Sequence, residues 1–568
     1  MAISYKPLWH LLVEREMNKE DLKRAANITS NIVSRMSKNS YVNLESLEKI
    51  CLALDCRIED VIEIHTDDES RIALGKIETA LTEKKYGLVW EEHEEEVDKK
   101  LVHNIPVFRE IEDKKIVVDE NADFNFLLEG DNLHSLKLLK KTHKGKIDVI
   151  YIDPPYNTNN KDFIYNDTRI GEDDTYRHSK WLSFMNERLV IAKELLSDEG
   201  VIFISIDDNE QAQLKLLCDE IFDEENFIAN FSRSTRKGGG SMSKYVSTDH
   251  EYILLYCKDI SKKSRFYVPF SDKYLKRYNE CDEIGRFFWD TFARNRQGSS
   301  NVYSIKFPDG ELIEKAWIYK EDKYLELLQK GEICFKNLSN GKYSLQIKQR
   351  LNENGQIMRS EIRDYPNSLG TKTLVNLIGK DKFSYAKPIE LIMYLLYSSN
   401  KDSVILDYFA GSGTTGHAVM QLNKEDGGNR KYILCTNNEN NICEKITYQR
   451  MKNIQKDLPH NLKYYKTEFI PKLSEEEEIL SSKLLDYIKE MVELENMCEI
   501  DGDSRRIILS DEDLKIALSE MKEGGVLYIP SFILLTKEIN YSIEERKLEA
   551  VTIPDYYFTE ELREVNEL

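Results

Sequence analysis

The sequence predicts an α/β fold built on a mostly parallel sheet, with an inserted region and smaller units at both ends. Strand-like apolar runs alternate with amphipathic helices over residues 123–260, and the same alternation resumes over 367–465. Between these parts, residues 261–366 lose the periodicity, while residues 1–66 show only short helical patterns. A chain of 568 residues is also too long for a single core.

Composition and charge narrow the class of protein. The net charge is −21, but residues 233–296 are rich in lysine and arginine, and a local basic patch can bind phosphates whatever the total charge. The nine cysteines lack zinc-ligand spacing, so no metal site is predicted. No signal peptide and no apolar run long enough to span a bilayer are found, which predicts a cytoplasmic protein.

The candidate catalytic segment is the apolar run at residues 146–152 and the four residues after it. Asp153, Pro154, Pro155 and Tyr156 follow what should be a buried strand, which the prolines end abruptly. Open α/β sheets bind ligands at such strand ends. The carboxylate and the first proline carbonyl are two acceptors suited to an exocyclic amine, and the ring offers a face for a stacked base. The alternative is an ordinary turn after a strand.

A glycine-rich loop follows a second predicted strand at residues 403–409. Gly411, Gly413 and Gly416 fit the G-x-G-x-x-G pattern of a Rossmann-like dinucleotide fold, which must be considered. Asp407 favours S-adenosylmethionine instead, because a carboxylate accepts from a cationic ammonium but repels a pyrophosphate. The glycines allow a close approach of the backbone to the cofactor, and the start of the next helix offers N–H donors to its carboxylate.

An acidic residue beyond the next strand completes this candidate cofactor site. Glu439 lies about 20 residues after the loop, the spacing at which a carboxylate binds ribose hydroxyls. Asn438 is the alternative for the same role.

Together, the two motifs resemble those of the amino-group DNA methyltransferases. Asp153-Pro154-Pro155-Tyr156 is similar to the catalytic tetrad of that family, whose aspartate form mostly goes with adenine N6 rather than cytosine N4. The tetrad precedes the glycine loop, an order similar to the β group, and residues 130–444 resemble the modification subunits of type III restriction systems. The resemblance implies further cofactor-binding positions, namely Asp131, Lys387, Pro388, Phe409, Ala410 and Thr414.

The resemblance also implies a domain organisation and a reaction. Residues 123–260 and 367–465 would form an S-adenosylmethionine-dependent methyltransferase sheet, with a target-recognition region at 261–366. The reaction would be methylation at N6 of an adenine flipped out of double-stranded DNA, within a restriction-modification system. Basic residues near the insertion are predicted to contact DNA, as is a histidine that resembles one beside the flipped base; these are Arg233, Arg236, Lys237, His250, Arg294 and Arg296.

Both ends of the chain carry separate predictions. Residues 1–66 resemble a Cro/repressor-type helix-turn-helix, whose recognition helix would be capped by Thr29 and offer Asn31, Ser34 and Arg35 to DNA. The alternative is a helical bundle for dimer or partner contact. Residues 67–122 are predicted to be a charged linker, and 466–568 a small α/β domain for dimer or partner contact. We expect a homodimer, and the resemblance allows a restriction subunit, a nuclease or helicase, as a second partner.

Several other functions remain open on the sequence. The chain could be a solitary regulatory DNA methyltransferase, or it could methylate cytosine N4. Methylation of RNA or of a protein amide uses related tetrads, but the order of the motifs and the long basic insertion count against it. A helix-turn-helix regulator with an inactive methyltransferase domain is the alternative from another class; the intact motif residues count against decay.

Overall fold

The structure, a computed structural model, describes most of the chain in two compact units, Met1–Leu88 and Val89–Leu568. The described residues are 2–65, 90–158, 176–236, 244–293, 301–472 and 480–553, apart from short gaps within these ranges, with a few more at 164–169, at 238 and after 556. In this part of the chain, no helix has the length and apolar character needed to cross a membrane.

The first unit is a bundle of short helices. Its helices are Lys6–Glu14, Lys19–Ala25, Ser30–Ser37 and Leu44–Ala53, and strands Ala2–Ser4 and Glu63–His65 pair antiparallel. Leu8, Leu22 and Met36 are fully buried in its core. The predicted pair of helices about a turn is confirmed. Asn18 caps the first of the two through its side chain, whereas Thr29 precedes the second but makes no capping hydrogen bond with its side chain, contrary to the prediction.

A mixed sheet, ten-stranded within the described residues, is the centre of the second unit. Strands such as Phe124–Glu129 and Ile147–Ile152 are apolar and buried along nearly their whole length, as expected for strands covered on both faces. From one edge to the other, the strands are Glu361–Ile362, Phe227–Ser234, His250–Cys257, Leu196–Ile206, Ile147–Ile152, Val404–Asp407, Lys431–Thr436, Phe124–Glu129, Asn461–Pro471 and Asn104–Glu110. Helix Glu96–His103 precedes the first of these strands in the chain, and the helices between the strands are Asn132–His143, Arg177–Leu195, Gln211–Phe222, Asn367–Ile378, Ile389–Leu396, Thr414–Asp426 and Gln449–Ile454.

Strand direction confirms the predicted fold class, a Rossmann-like α/β sheet. Neighbouring strands are parallel from Leu196–Ile206 across to Asn461–Pro471, and antiparallel pairs occur beyond both. The chain leaves Ile147–Ile152 towards one edge of the sheet and Val404–Asp407 towards the other. Because these two strands are neighbours, the topological switch point lies between them.

The interpretation of residues 67–122 as a charged linker is wrong for its second half. Helix Glu96–His103 leads into strand Asn104–Glu110, which pairs antiparallel with Asn461–Pro471 and forms one edge of the main sheet. The apolar residues of this strand are buried. The apolar stretch of this strand is short and follows a dense acidic run, so the sequence pattern did not indicate a strand here. Residues 67–89 of the predicted linker lie outside the described residues.

The insertion has its own β-rich core. A four-stranded antiparallel sheet contains, in spatial order, Glu280–Asp282, Gly285–Thr291, Tyr343–Arg350 and Ile333–Asn337. Hairpin Val302–Lys306 with Leu312–Ala316 and helix Glu321–Gln329 complete it. Phe292, Trp317 and Tyr324 pack their rings together in its core. Part of the aromatic content of this region therefore serves to fold the insertion itself.

The C-terminal part contains the predicted small α/β domain. Strands Arg505–Ile507, Val526–Pro530 and Glu549–Ile553 are parallel and adjacent, with helices Asp511–Glu520 and Lys537–Glu545 between them in the chain. Helices Leu480–Leu485 and Ile488–Asn496 precede this domain. The second of these helices is tied to the main sheet, because the buried ammonium of Lys463 donates to Glu493 at 2.8 Å.

Candidate active site

The two motifs singled out in the sequence meet at the switch point of the sheet. Ile147–Ile152 ends at Asp153, and the adjacent parallel strand Val404–Asp407 leads into the glycine loop, with Ile405 opposite Val149 in the register. Parallel neighbours deliver their carboxyl ends to the same edge of a sheet. The crevice outside such ends is where open α/β sheets bind ligands.

Lys387 joins the catalytic segment to the glycine loop. Its ammonium donates to both oxygens of Asp153 at 2.7 Å and lies 3.1 Å from the Tyr156 hydroxyl. Its carbonyl accepts from the Thr414 hydroxyl at 3.3 Å, at the start of the helix after the loop. The side chain that the resemblance assigned to the cofactor therefore contacts the candidate catalytic carboxylate.

Asp153 also accepts a hydrogen bond from the Tyr156 hydroxyl at 2.8 Å. Burial, and then the charge of Asp153, raise the pKa of Tyr156 well above its ordinary value, so the hydroxyl stays a donor. Trp181 donates from its indole nitrogen to the Pro155 carbonyl at 2.7 Å, which leaves the Pro154 carbonyl as the predicted second acceptor. These contacts fix the orientation of the carboxylate before any substrate is present.

Behind the tetrad, a buried carboxyl group holds the turn that follows Tyr156. Asn157 has the positive φ of 55°, which asparagine adopts more readily than most residues, and its amide donates to Glu210 at 2.5 Å. Nδ1 of His178 lies 2.6 Å from the same Glu210 oxygen. Burial raises the pKa of Glu210 to about 8, so this carboxyl is mostly protonated at neutral pH. The cluster holds the end of the tetrad in place and, because Glu210 is mostly protonated, adds little negative charge to the crevice.

The glycine loop has the geometry of a close-approach turn. Gly411 and Gly413 have φ values of 47° and 72°, in the left-handed region that favours glycine. Asp407 is buried beneath the loop, where one oxygen accepts from the Phe409 amide at 3.0 Å and the other from the Thr415 hydroxyl. Burial raises the pKa of Asp407 to about 7. Its predicted bond to a cofactor ammonium would be a third one, which a carboxylate can accept.

Asp131, with its neighbour Asn132, is the predicted other wall of the candidate cofactor site. Asp131 caps helix Asn132–His143 by accepting from the Leu133 amide at 2.8 Å. The Asn132 amide donates to the Tyr408 carbonyl at 3.0 Å, which ties this wall to the strand below the glycine loop. Arg188 is fully buried and donates to Asn132 and to both oxygens of Glu95.

The structure also shows the surroundings of the remaining predicted cofactor residues. Pro388 immediately precedes helix Ile389–Leu396, Ala410 is buried, and the Phe409 ring lies 5.9 Å from that of Phe184. Asn438 donates to Glu129 at 3.3 Å, whereas Glu439 is exposed after the strand end. Glu129 is itself buried at the end of the adjacent strand. The ribose role of Asn438 or Glu439 stays a prediction.

Arg233 was predicted to contact DNA, and the structure contradicts this. Its side chain is fully buried, with an ion pair to Glu251 and hydrogen bonds to the Tyr365 carbonyl and Asn367. A basic run on a strand alternates between two faces, and this residue points to the covered one. Glu251 also lies 3.8 Å from the ammonium of Lys387, so Arg233 supports the catalytic segment from behind.

The other predicted DNA contacts fall into two groups. Arg236 and His250 are exposed, as are Ser34 and Arg35 on helix Ser30–Ser37. Their exposure is compatible with DNA contact but does not test it, so their roles stay predictions. The others lie outside the described residues or, for Asn31, have a side chain that is not described; they are Asn31, Lys237, Arg294 and Arg296.

Sequence reasoning missed residues that act through their partners. Glu251, Glu210, Arg188 and Arg450 are buried charged or ionisable side chains behind the two motifs. Charged residues are rarely buried without a partner, but all four stand beside polar residues in the sequence, so the local pattern did not indicate their burial or a partner. The sequence alone does not identify that partner.

Family models match two parts of the chain. One, described as DNA methylase, matches residues 147–449, which is more than half of the 568 residues. Another, described as a Cro/C1-type helix-turn-helix DNA-binding domain, matches residues 7–67.

Curated relatives match the middle of the chain. The StyLTI Mod subunit of a type III restriction-modification enzyme from Salmonella typhimurium is 35% identical over 381 residues, 61% of this chain and 58% of that protein. The EcoPI Mod subunit from Escherichia phage P1 is 35% identical over 56% of this chain and 58% of its own length. The type II methyltransferase M.KpnI from Klebsiella pneumoniae is 32% identical over 60% of this chain and 90% of its own. The chain thus spans less than two thirds of the two Mod subunits.

Proposed function

The chain belongs to the DNA methylase family, and from this premise we propose that it methylates N6 of an adenine extruded from double-stranded DNA. The methyl donor is S-adenosylmethionine, and the setting is a restriction-modification system. The observation that carries the proposal is the position of Asp153, held by Lys387 and Tyr156, across the switch point from the glycine loop. The names of the type III relatives support the setting.

The residues present fit the proposed cofactor. Gly411 and Gly413 turn the loop so that its backbone can approach a ligand, and helix Thr414–Asp426 begins there with unsatisfied N–H groups. Among the described residues, a Cβ built on Gly411 would meet the Phe383 ring at 3.6 Å and the Phe409 carbonyl at 3.8 Å, both at ordinary contact distances, so these residues leave room at this point. When bound, S-adenosylmethionine supplies an electrophilic methyl group.

The chain's own residues overcome the weak nucleophilicity of the adenine amine. The lone pair of that amine is delocalised into the ring, and it becomes available when both amine hydrogens are held out of plane. Asp153 accepts one hydrogen and the Pro154 carbonyl the other, so the nitrogen lone pair points across the crevice. A carboxylate accepts up to four hydrogen bonds, so Asp153 retains capacity beyond those from Lys387 and Tyr156.

Methyl transfer then requires a place for one proton. A bond forms between N6 and the methyl carbon, the bond from that carbon to sulfur breaks, and one amine proton leaves the nitrogen. Asp153 accepts this proton and passes it to solvent, to which 26% of its side chain is exposed. Tyr156 offers the face on which the extruded base stacks.

Cytosine N4 is the second candidate target, because the matching family model covers N6 and N4 enzymes together.

The helix-turn-helix supports a further DNA contact through Ser34 and Arg35, which are exposed on its second helix. A homodimer and a restriction subunit follow only from the resemblance and from the relatives' names, and size-exclusion chromatography with light scattering tests the first.

Nucleoside analysis tests the proposal. Unmethylated genomic DNA is incubated with the protein and S-adenosylmethionine carrying a deuterated methyl group, digested, and analysed by mass spectrometry. We expect labelled N6-methyladenine from the natural protein and none from Asp153→Ala, with full activity in Asp198→Ala, which removes a largely exposed carboxylate. Labelled N4-methylcytosine in place of N6-methyladenine would identify cytosine N4 as the target. Absence of any label in DNA would refute both candidate targets.

A further inference from the structure

A buried arginine lies directly beneath the glycine loop. Arg450, from helix Gln449–Ile454, is fully buried. Nη1 donates to the carbonyl and the hydroxyl of Ser412 at 3.2 and 3.3 Å, and to the Thr414 hydroxyl at 2.9 Å. Nε donates to Nδ1 of His417 at 3.3 Å. All four acceptors are neutral, because burial lowers the pKa of His417 to about 3.

Arg450 differs from the other fully buried arginines of this unit in having no counter-ion among the described residues. Arg188 pairs with Glu95, and Arg233 pairs with Glu251. Burial lowers the pKa of Arg450 to about 9, with no carboxylate offsetting the effect, yet the group remains charged at neutral pH. Its Nη2 is buried without a hydrogen-bond partner in the part of the chain that the structure describes. An uncompensated buried charge of this kind is costly, and an anion bound close to it would offset that cost.

The contacts of Arg450 indicate where that anion binds. Ser412 and Thr414 both accept from the guanidinium, and their hydroxyl oxygens lie 3.2 Å apart, so each hydroxyl keeps its own hydrogen to donate, to its neighbour or to a ligand. The Thr414 hydroxyl now donates to the Lys387 carbonyl at 3.3 Å, a long bond that a better acceptor can replace. Both residues lie where Gly413, with its left-handed φ, leads into the helix N-terminus.

We propose that Arg450 is the counter-charge for the carboxylate of the methionine part of the cofactor, and that it acts through the hydroxyls of Ser412 and Thr414. Arg450 is thus a positioning residue that does not touch the cofactor. This inference rests on the proposed function, since it deepens the account of the same cofactor site. The preference of the site for ligands that carry a carboxylate then depends on Arg450, which lies outside the G-x-G-x-x-G pattern.

The test compares two ligands that differ only in the carboxylate. S-adenosylhomocysteine and its decarboxylated analogue are titrated into the natural protein, Arg450→Met and Arg450→Lys by calorimetry. Charge-assisted hydrogen bonds are strong, so we expect Arg450→Met to weaken S-adenosylhomocysteine binding about tenfold or more. Binding of the analogue should change less than about twofold, and Arg450→Lys, which keeps the charge, should recover part of the loss.

Equal losses for both ligands in Arg450→Met would overturn the inference, because they would show that the guanidinium only supports the loop. Arg430→Met is the matched control: this buried arginine pairs with Asp426 instead, so its loss should leave the ratio of the two affinities unchanged. If Arg450→Met does not fold, Thr414→Val removes one relaying hydroxyl, and an unchanged ligand ratio in that variant also overturns the inference. A natural protein that binds neither ligand would refute the proposed function itself.

Discussion

Replacing Lys387 by methionine removes the ammonium that orients the candidate catalytic carboxylate. Two hydrogen bonds of 2.7 Å to Asp153 are lost, while the Lys387 carbonyl, which accepts from Thr414, is kept. The lysine side chain is 10% exposed and that of Asp153 is 26% exposed, so solvent screens the pair only in part. Charge-assisted bonds contribute about 1.5–3 kcal/mol, and partial exposure favours the lower part of this range, about 2 kcal/mol. This corresponds to a roughly 30-fold loss in kcat/KM.

Transfer of a tritiated methyl group to unmethylated genomic DNA measures this loss. Lys547→Met is the matched control, because it breaks a lysine–glutamate pair of 2.5 Å in the C-terminal domain whose side chains are 76% and 66% exposed. Its activity should equal that of the natural protein. Affinity for S-adenosylhomocysteine should change little in Lys387→Met, since the ammonium contacts Asp153 and Tyr156. Full activity in Lys387→Met, or a fall explained entirely by weaker cofactor binding, would refute the reasoning.

Three further predictions concern the groups that support the site. Arg188→Met should lower the free energy of unfolding by about 3–5 kcal/mol in urea titrations, since it leaves Glu95 buried and unpaired; Glu95→Gln in the same chain should recover part of it. The folded pKa of Glu210, about 8, lies above its ordinary value of 4.5, so its contribution to stability is complete below about pH 4.5 and is lost as the pH rises through 8. Glu210→Gln should therefore flatten the pH dependence of unfolding over that window, and an unchanged profile would contradict the shift. Gly413→Ala and Gly427→Ala both place a side chain at a left-handed φ and should each cost about 1–2 kcal/mol. Only Gly413→Ala, whose Cβ would also lie 3.1 Å from Thr447, should weaken S-adenosylhomocysteine binding in calorimetry, and equal affinities in the two variants would count against a cofactor role of the loop.

The sequence predicted the parts of the fold that depend on local patterns. The apolar run before Asp153 and the strand before the glycine loop are such patterns, and both are strands of one sheet. The order of the two motifs along the chain supports the resemblance to DNA methyltransferases, and that resemblance predicted that both motifs lie on one sheet. Strand Asn104–Glu110 was missed because a short apolar stretch follows a long charged one, and its pairing with Asn461–Pro471 is invisible in the local pattern.

The side-chain partners at the site could not be predicted because they are set by packing between distant segments. Lys387 and Asp153 are 234 positions apart, and nothing in either motif specifies their ion pair. Arg233 lies in a run of basic residues that is typical of a DNA surface, yet its partner Glu251 stands opposite it on the adjacent antiparallel strand. Arg450 is one of many arginines in the sequence, and what distinguishes it is its burial without a counter-ion among the residues that the structure describes.

A crystal structure of the protein with S-adenosylhomocysteine and a DNA duplex carrying its target tests the central claim most directly. The claim is that the segments around Asp153 and Gly411 form one pocket. We predict the cofactor sulfur between the glycine loop and Asp153, with an extruded adenine whose N6 donates to that carboxylate. In that arrangement N6 would lie about 3–3.5 Å from the position of the transferred methyl group. A cofactor bound elsewhere, or a base that does not reach Asp153, would contradict the account.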